Sequence, residues 1–236
     1  SSPRGLGSVS AAPDIVTDMD LGHIRAICWD WNGTLLDDAE ICRQVMNAVL
    51  EEHALEPLAD EHAYRSVFRF PIRDFYRSVG LGDDRFVSAA TTYLDLLAQR
   101  VGEAPLHSDV RATLAVLGER GIRQVLASAT LPDALARQMA PHDLGEAFEA
   151  VLSIDDPFRA SKHDVISRWL ATSGLAARDV LVVGDTNHDR EIADDLGAEF
   201  VHFDGGHQKW AGDTRGVSTL GELIDLSVNE TLPRTV

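Results

Sequence analysis

The chain has 236 residues, of which 44% are hydrophobic and 25% charged, as in ordinary globular proteins. A formal net charge of −17 argues against a general nucleic-acid surface, because such surfaces cluster Lys and Arg to displace counterions. No apolar run reaches the roughly 18 residues that a membrane-spanning helix needs. The two cysteines are too few for a disulfide framework and fit a reducing cytoplasm. We therefore expect a cytoplasmic protein that binds neither nucleic acid nor membranes.

The first twenty residues differ in composition from the rest of the chain. They are rich in Ser, Gly, Pro and Ala and contain no continuous apolar stretch. A signal peptide requires such a stretch. Residues 1–20 are therefore predicted to form a flexible N-terminal tail.

Short apolar runs predict five β-strands, at residues 24–29, 123–128, 150–154, 180–183 and 199–203. Their continuous apolar character is typical of strands that are buried on both faces of a parallel sheet. Helical patterns alternate with the later strands. This alternation predicts an α/β fold with a doubly wound, Rossmann-like parallel sheet. In such sheets, ligands bind beyond the carboxyl ends of the strands.

A helical segment interrupts this alternation between the first and second predicted strands. From residue 37 to residue 107 the apolar spacing is helical throughout, and Pro57, Pro71 and the turn at Gly80 divide the segment into several helices. A segment of this length is expected to form a small separate lobe over the carboxyl end of the sheet.

Polar side chains follow four of the predicted strands in chain order. They lie in the segments DWNGT at residues 30–34, SAT at 128–130, SKH at 161–163 and GDTNHD at 184–189. Because the carboxyl ends of parallel strands share one edge of the sheet, we expect these segments to meet there.

These segments resemble the motifs of the haloacid dehalogenase (HAD) superfamily of aspartate-nucleophile hydrolases. The resemblance runs from about residue 24 to residue 226, and DWNGTLLD at 30–37 with GGHQ at 205–208 is most similar to the phosphoglycolate-phosphatase-like subgroup. It implies a HAD-like α/β core domain at residues 21–36 and 108–236. The helical segment, residues 37–107, falls where the superfamily carries a C1-type cap domain. The implied activity is that of a phosphoric monoester hydrolase acting on a small phosphorylated metabolite.

The resemblance also assigns roles to matching residues. Asp30 is expected to be the nucleophile, forming an aspartyl-phosphate that water then cleaves. Mg²⁺ is the expected cofactor, held by Asp30, Asp185 and the backbone carbonyl of Asn32. Asp189 is expected to orient metal-bound water or the neighbouring lysine, although an aspartate at this position also suits a helix N-cap.

The remaining roles concern the phosphate group. The hydroxyl of Ser128 and the amide of Ala129 are expected to bind its oxygens, together with Gly33 and Thr34. Lys162 is expected to supply the fixed positive charge near both the nucleophile and the phosphate. Two of these assignments stay open. The Lys-Pro context that is usual in the superfamily is absent at Lys162, and Thr130 competes for the role of Ser128.

Asn32 departs from the superfamily pattern. Phosphatases of the superfamily usually carry a second aspartate at this position, which protonates the leaving oxygen and then accepts a proton from the attacking water. An amide can hydrogen-bond but cannot shuttle a proton, and losing a general acid typically costs about 10²–10⁴ in rate. Metal binding is expected to survive, because it uses the backbone carbonyl.

Several interpretations of Asn32 stay open. The protein hydrolyses phosphates slowly, or acts on substrates whose leaving group needs little protonation. Alternatively, His188 or a cap residue supplies the proton, or the protein binds a phosphorylated ligand without turnover. An engineered Asp→Asn change is a further option. A sugar phosphomutase or another HAD hydrolase are rivals within the fold, and the expected assembly is a monomer or a homodimer. His188 and His207 are interpreted as bystanders unless they lie close to the metal.

The segment 65–77 combines four arginines with four aromatic residues in an otherwise acidic protein. One hypothesis is that Arg69 or Arg73 faces the cleft and determines specificity by binding an anionic or polyhydroxy part of the substrate. The alternative is a solvated helix face whose arginines pair with nearby acids such as Asp60 and Glu61.

Overall fold

The computed structural model describes residues 21–155 and 161–226, so the predicted N-terminal tail lies outside the described residues. Within them, parallel strands form a six-stranded sheet with the order β3-β2-β1-β4-β5-β6. The strands are β1 (Ala26–Trp29), β2 (Arg123–Ser128), β3 (Ala150–Ser153), β4 (Val180–Gly184), β5 (Glu199–Phe203) and β6 (Gly216–Val217). The strand order changes direction between β1 and β4, so their adjacent carboxyl ends form the topological switch point where such folds bind ligands.

The sheet confirms the predicted parallel α/β fold, with two corrections. The sequence did not predict β6, which has only two residues and is too short to show a pattern. The expectation that every strand is buried on both faces is wrong for β3. This strand lies at the edge of the sheet, and Val151 is 44% exposed. The five predicted strands otherwise lie within two residues of their predicted limits.

Helices cover both faces of the sheet. They are α5 (Val110–Glu119), α6 (Pro132–Met139), α7 (Lys162–Ser173), α8 (Asn187–Leu196) and α9 (Glu222–Leu226). Alternate residues of β1 point to opposite faces, as the two-residue period of a strand requires. Ile27 and Trp29 pack in one hydrophobic cluster with α5, α6 and α9, whereas Ala26 and Cys28 pack in the other with α7 and α8. The sheet is therefore doubly wound.

Four helices lie between residues 37 and 107, the segment for which the sequence predicts several helices. They are α1 (Ala39–Glu52), α2 (Glu61–Val67), α3 (Ile72–Ser78) and α4 (Asp83–Arg100). They share a hydrophobic cluster of their own, which includes Met46, Tyr64 and Phe75. The two ends of this segment lie side by side, because the Asp37 amide donates a hydrogen bond of 2.8 Å to the Pro105 carbonyl. Whether the segment is a cap domain bounded at residues 37 and 107 stays a prediction.

The start of α7 positions one of the predicted site residues. The Ser161 hydroxyl accepts a hydrogen bond from the Asp164 amide, and the Asp164 carboxylate accepts one from the Ser161 amide. This capping box fixes the first turn, so Lys162 becomes the first residue of the helix. The helix ends at Ser173 and is followed by Gly174, where a φ of 77° suits glycine.

Nothing in the helices described here combines the length and the apolar character that crossing a bilayer would require.

Candidate active site

The predicted strand-end residues meet at the carboxyl edge of the sheet. Asp30 directly follows β1, Asp185 directly follows β4, and the Asp30 amide donates a hydrogen bond of 2.9 Å to the Val183 carbonyl. The turn after β1 passes so close to β4 that a Cβ atom on Gly33 would collide with the Asp185 carboxylate. Gly33 also has a φ of 81°, so two independent constraints require glycine there.

Three carboxylates and one ammonium form the centre of this edge. Oxygens of Asp30, Asp185 and Asp189 lie within 4.8 Å of one another. Lys162, which is 4% exposed, donates to Asp30 Oδ1 over 2.6 Å and also to Asp189. Burial by itself would lower the pKa of Lys162, but the Asp189 and Asp30 carboxylates outweigh this effect and raise that pKa. The ammonium therefore stays charged, as the predicted role of Lys162 requires.

The carboxylates differ in how well their charge is compensated. Burial raises the pKa of Asp30 to about 8 although Lys162 opposes the shift, and the neighbouring Asp189 and Asp185 carboxylates add to it. Burial also raises the pKa of Asp185, against the attraction of His207. For Asp189 burial acts in the same direction, but Lys162 outweighs it and lowers the pKa. Asp30 and Asp185 are thus left without sufficient positive charge.

This uncompensated pair is suited to a divalent cation. A cation between Asp30 and Asp185 would offset the repulsion that raises both pKa values. Carboxylate and carbonyl oxygens are the hard ligands that Mg²⁺ prefers, and the predicted third ligand is the backbone carbonyl of Asn32. The residues therefore fit the expected cofactor.

The Asp189 carboxylate binds Thr186, the N-cap of its own helix, as well as Lys162. The carboxylate accepts hydrogen bonds from the Thr186 amide (3.2 Å) and from the Thr186 hydroxyl (2.7 Å). Asp189 occupies the third position of α8 rather than the N-cap, which is Thr186. The same carboxylate binds Lys162, so it joins the first turn of α8 to the first turn of α7.

Asp38 is a buried residue of the site that the sequence analysis missed. It is 1% exposed and accepts hydrogen bonds of 2.8 Å from both the Asn32 side-chain amide and the Gly33 backbone amide. Its Oδ1 atom lies 3.2 Å from His207 Nε2. The only available signal was a pair of acids following an apolar run, and the first of that pair, Asp37, is exposed.

His207 joins Asp38 to the rest of the site. Its backbone amide donates to Asp185 Oδ2 (2.5 Å), and its Nδ1 atom lies 3.0 Å from the Tyr64 hydroxyl of α2. Burial would lower the pKa of His207, but Asp38 in particular raises it to about 9. Burial is likewise outweighed at Asp38, whose pKa the His207 charge lowers. His207 is thus close to the predicted metal ligand Asp185, which was one of the two alternatives for this residue.

Both ends of the Asn32 side chain are used. The amide nitrogen donates to Asp38 Oδ2 over 2.8 Å, and the amide oxygen accepts a hydrogen bond of 3.2 Å from the Thr130 hydroxyl. An aspartate at this position would place a carboxylate directly against that of Asp38. Asn32 is therefore complementary to its neighbours, and Thr130 is engaged with it rather than free to replace Ser128.

The predicted phosphate-binding residues are close together, but their donors differ in availability. The Thr34 hydroxyl lies between Asp30 Oδ2 (3.3 Å) and Asp185 Oδ1 (3.2 Å), and the Gly33 amide already donates to Asp38. Ser128 is buried at the end of β2, whereas Ala129 lines the cavity in front of Asp30.

A cavity of about 530 Å³ lies between this carboxyl edge and the helical segment. Its polar floor includes Asp30, Lys162 and Asp185. Its opposite side is formed by α1 to α4 and the loop between α2 and α3. None of the described residues of these elements that line the cavity carries a charge, since burial raises the pKa of the Cys42 thiol and keeps it neutral. We call six side chains of this side the aromatic wall: Phe68, Phe70, Phe75, Tyr76, Phe86 and Tyr93.

Direct contacts hold the helical segment against the carboxyl edge. The backbone amide of Phe70 donates to the Asn187 side chain (2.9 Å), which donates back to the Phe70 carbonyl (3.0 Å). Arg65 of α2 donates to the Asp204 carboxylate over 2.7 Å. The sequence analysis predicted neither contact, because nothing local marks Asn187 or Asp204 as a partner of the helices.

The structure does not support the specificity hypothesis for Arg69 and Arg73. Both are described residues, and neither is among those that line the cavity. Arg69 is exposed, and its Nε atom donates to the Val67 carbonyl. The Arg73 guanidinium packs 4.1 Å from the centre of the Phe86 ring and pairs with Asp83 at 3.7 Å. The alternative of a solvated face is the better description, although the acid is not one of those proposed.

Comparisons with known proteins agree with this fold. Tyrosine-protein kinase PtkA of Mycobacterium tuberculosis is 24% identical over 179 residues, which are 75% of this chain and 61% of PtkA. The chain thus spans about three fifths of the length of the curated relatives that it matches. A solved structure of PtkA matches with a TM-score of 0.72 and 24% identity, covering 87% of this chain and 99% of the solved one.

Two other solved structures show the same fold at lower identity. The haloacid dehalogenase-like protein SP0104 from Streptococcus pneumoniae has a TM-score of 0.72 at 19% identity, covering 86% of this chain and 98% of its own. A predicted phosphoglycolate phosphatase from Haemophilus somnus has a TM-score of 0.68 at 15% identity, covering 87% and 98%. The family model described as haloacid dehalogenase-like hydrolase matches residues 27–203, most of the chain. The chain therefore belongs to the haloacid dehalogenase-like hydrolase family, as the sequence motifs indicate.

Proposed function

We propose that this chain is a Mg²⁺-dependent phosphoric monoester hydrolase that acts on a small phosphorylated metabolite through an aspartyl-phosphate on Asp30. The observation that carries the proposal is the position of Asp30, with its carboxylate at the floor of a cavity beside Asp185 and bound to Lys162. These groups match what phosphoryl transfer needs, which is a nucleophile, a cation site and a fixed positive charge.

In the first step, a carboxylate oxygen of Asp30 forms a bond to phosphorus. The bond between phosphorus and the leaving oxygen breaks, and its electron pair goes to the leaving oxygen. In the second step, water attacks the same phosphorus, and inorganic phosphate and the Asp30 carboxylate are released. Asp30 must be ionised to attack, and because burial raises its pKa to about 8, it depends on nearby positive charge.

Two sources supply that positive charge. Lys162 holds Asp30 Oδ1 and lines the cavity in front of it, where the phosphate would bind. Bound Mg²⁺, held by Asp30, Asp185 and the Asn32 carbonyl, would neutralise charge on the transferring group. Asp189 keeps the ammonium in place from the other side.

Phosphate binding is assigned to Lys162, Ser128 and Ala129. Gly33 and Thr34 are assigned a different part, because the Gly33 amide and the Thr34 hydroxyl already bind carboxylates of the site. They shape the turn after β1 and hold Asp30 against Asp185, so their contribution to the phosphate is indirect.

The test is phosphate release from phosphorylated metabolites with Mg²⁺ and with a chelator. Asp30→Asn is expected to lower turnover by about 10³-fold or more, because an amide cannot form the acyl phosphate. Asp37→Asn is the matched control, since it makes the same change at an exposed acid in the same loop. Release that persists in Asp30→Asn, or that does not depend on Mg²⁺, would overturn the proposal.

Metal binding has a separate readout. At a concentration 100 times its dissociation constant, Mg²⁺ is expected to stabilise the protein by about 2.7 kcal/mol, and Asp185→Asn is expected to remove this effect. Chemical denaturation with and without Mg²⁺ measures it in the absence of any substrate. Equal stabilisation of wild type and Asp185→Asn would contradict the assigned site.

A second candidate function is favoured by Asn32. Without an acid at this position, the protein would bind a phosphorylated ligand and turn it over very slowly. Ligand-induced thermal stabilisation without phosphate release would support this candidate. The name of the relative PtkA suggests another candidate, in which the phosphoryl group is passed to a tyrosine hydroxyl instead of water. Phosphate transfer to an added phenol would identify this candidate.

A further inference from the structure

We propose that the substrates are aryl phosphates, meaning phosphate monoesters of phenols, with the ring bound against the aromatic wall. This inference rests on the proposed phosphatase function and specifies its substrate class. Two independent features carry it, the composition of the wall and the amide of Asn32.

The wall is suited to an uncharged ring. Its members already pack as aromatic pairs, with ring centres 5.0 Å apart for Phe68 and Phe75 and for Tyr76 and Phe86. Such pairs favour a further ring in a stacked or edge-on position. The hydroxyl groups of a sugar or the carboxylate of a small acid would lose hydration there without gaining partners, which is costly.

The charges around the wall disfavour a second anionic group on the substrate. The cationic side chains Lys162 and His207 line the cavity but are already paired with carboxylates, Lys162 with those of Asp30 and Asp189 and His207 with that of Asp38. In the described part of α2 and α3, the nearest arginines are used elsewhere, since Arg65 binds Asp204 and Arg73 pairs with Asp83. The part of the substrate beyond the phosphate is therefore expected to be neutral.

Asn32 also favours aryl phosphates, because it affects which leaving group can depart. Residue 32 supplies no proton when the P–O bond breaks, so a leaving oxygen that can carry negative charge by itself is favoured. A phenolate is the anion of an acid with a pKa of about 10. An alkoxide is comparable with hydroxide, whose acid has a pKa of about 15.7. The phenolate leaves with the electron pair of the broken P–O bond and takes its proton from water afterwards.

Four substrates separate the effect of the aromatic wall on the reaction from that of the Asn32 amide. Phenyl phosphate has both a ring and a weakly basic leaving group, benzyl phosphate has only the ring, acetyl phosphate has only the leaving group, and glycerol 3-phosphate has neither. With Mg²⁺ present, kcat for phenyl phosphate is expected to exceed that for benzyl phosphate by about 10²-fold or more. KM for acetyl phosphate is expected to exceed that for phenyl phosphate by about 10–100-fold.

Two variants test each cause by itself. Asn32→Asp supplies a general acid and is expected to narrow the phenyl-to-benzyl ratio of kcat by about 10²-fold. Leu94→Asp places a charge at a cavity-lining position of α4 that is 62% exposed, so the fold is not at risk. It is expected to raise KM for phenyl phosphate by a factor about ten times larger than the factor by which it raises KM for acetyl phosphate. Val87→Asp is the matched control, because Val87 is 69% exposed on the same helix and does not line the cavity.

The outcomes distinguish this inference from the proposed function. No phosphate release from any of the four compounds would overturn the phosphatase function itself. Mg²⁺-dependent release that is as fast from glycerol 3-phosphate as from phenyl phosphate would overturn only the substrate class. A peptide containing phosphotyrosine distinguishes the source of the ring. If its kcat/KM exceeds that of phenyl phosphate, aryl phosphates are supported with a protein as their source, and if it is lower, the source is a small molecule.

Discussion

The floor and the wall of the cavity are held by different forces. The floor is held by attraction between opposite charges, because the Lys162 ammonium and the Asp30 and Asp189 carboxylates stabilise one another. The wall is a set of uncharged rings contributed by the helices between β1 and β2, and it is held by packing. The difference suggests a division of labour in which the floor determines the reaction and the wall determines what is bound.

One residue connects the two regions. His207 binds Asp185 and Asp38 on the floor and the Tyr64 hydroxyl on the helical side, and the ring of Phe68 lies 5.1 Å from its own. His207 therefore forms a short buried connection between the helices and the carboxylates.

The largest effect is expected from removing the charge at the centre of the floor. Lys162→Met leaves the buried Asp30 and Asp189 carboxylates without their cation, so we expect the free energy of unfolding to fall by about 3–5 kcal/mol. Chemical denaturation without Mg²⁺ measures this loss. Arg178→Met is the control, because Arg178 is 81% exposed and its loss should cost less than about 0.5 kcal/mol. Similar losses in both variants would show that charge does not hold the floor together.

A smaller and pH-dependent effect is expected at the connection. The pKa of His207 is raised from 6.5 to about 9 in the folded protein, so its contribution to stability is complete below about pH 6.5 and is lost as the pH rises to 9. At about 1.36 kcal/mol per pKa unit, this contribution is at most about 3 kcal/mol.

The measurement compares wild type with His207→Gln by denaturation between pH 6 and pH 9.5 in a chelator, a range set by the linkage relation to extend roughly half a unit beyond both pKa values. The difference between the two proteins removes the pH dependence of Asp30, which has the same sign in both, and leaves that of His207 with its effect on Asp38 and Asp185. His62→Gln, at an exposed histidine of α2, is the control. Parallel curves for wild type and His207→Gln would show that the connection carries no charge.

The smallest effect is expected on the outer face of the wall. Arg69→Ala and Arg73→Ala should each change KM for phenyl phosphate by less than about twofold, since neither residue lines the cavity. Arg73→Ala should also lower the free energy of unfolding by about 0.5–1 kcal/mol through loss of its contact with Phe86. A tenfold rise in KM for either variant would restore the hypothesis that these arginines bind the substrate.

Much of the floor could be predicted from the sequence because its residues are tied to strand ends. Asp30 and Asp185 each follow an apolar strand, and the parallel sheet brings such ends together whatever the connecting helices do. Lys162 was identified through the resemblance to the haloacid dehalogenase motifs, and the capping box of Ser161 and Asp164 explains why it lies at a helix start. The expected reaction was inferred from the same resemblance.

The wall could not be predicted in the same way. The aromatic residues of segment 65–77 were visible in the sequence, yet the choice between Phe70 and Arg69 as the residue facing the cavity depends on how the helices dock. That docking is set by distant contacts, such as those of Asn187 with Phe70 and of Arg65 with Asp204. No sequence pattern within the segment predicts these contacts.

The sequence by itself determined the parallel α/β fold and the helical segment between the first two strands, because both depend on local periodicity, and its motifs identified the carboxylates at the strand ends and the lysine. Only the tertiary structure decided which of two adjacent acids, Asp37 or Asp38, is buried against Asn32 and His207. It also decided which side of the helical segment faces Asp30. Both depend on contacts between residues far apart in the chain, and the free energy of such contacts is not encoded in any short stretch of sequence.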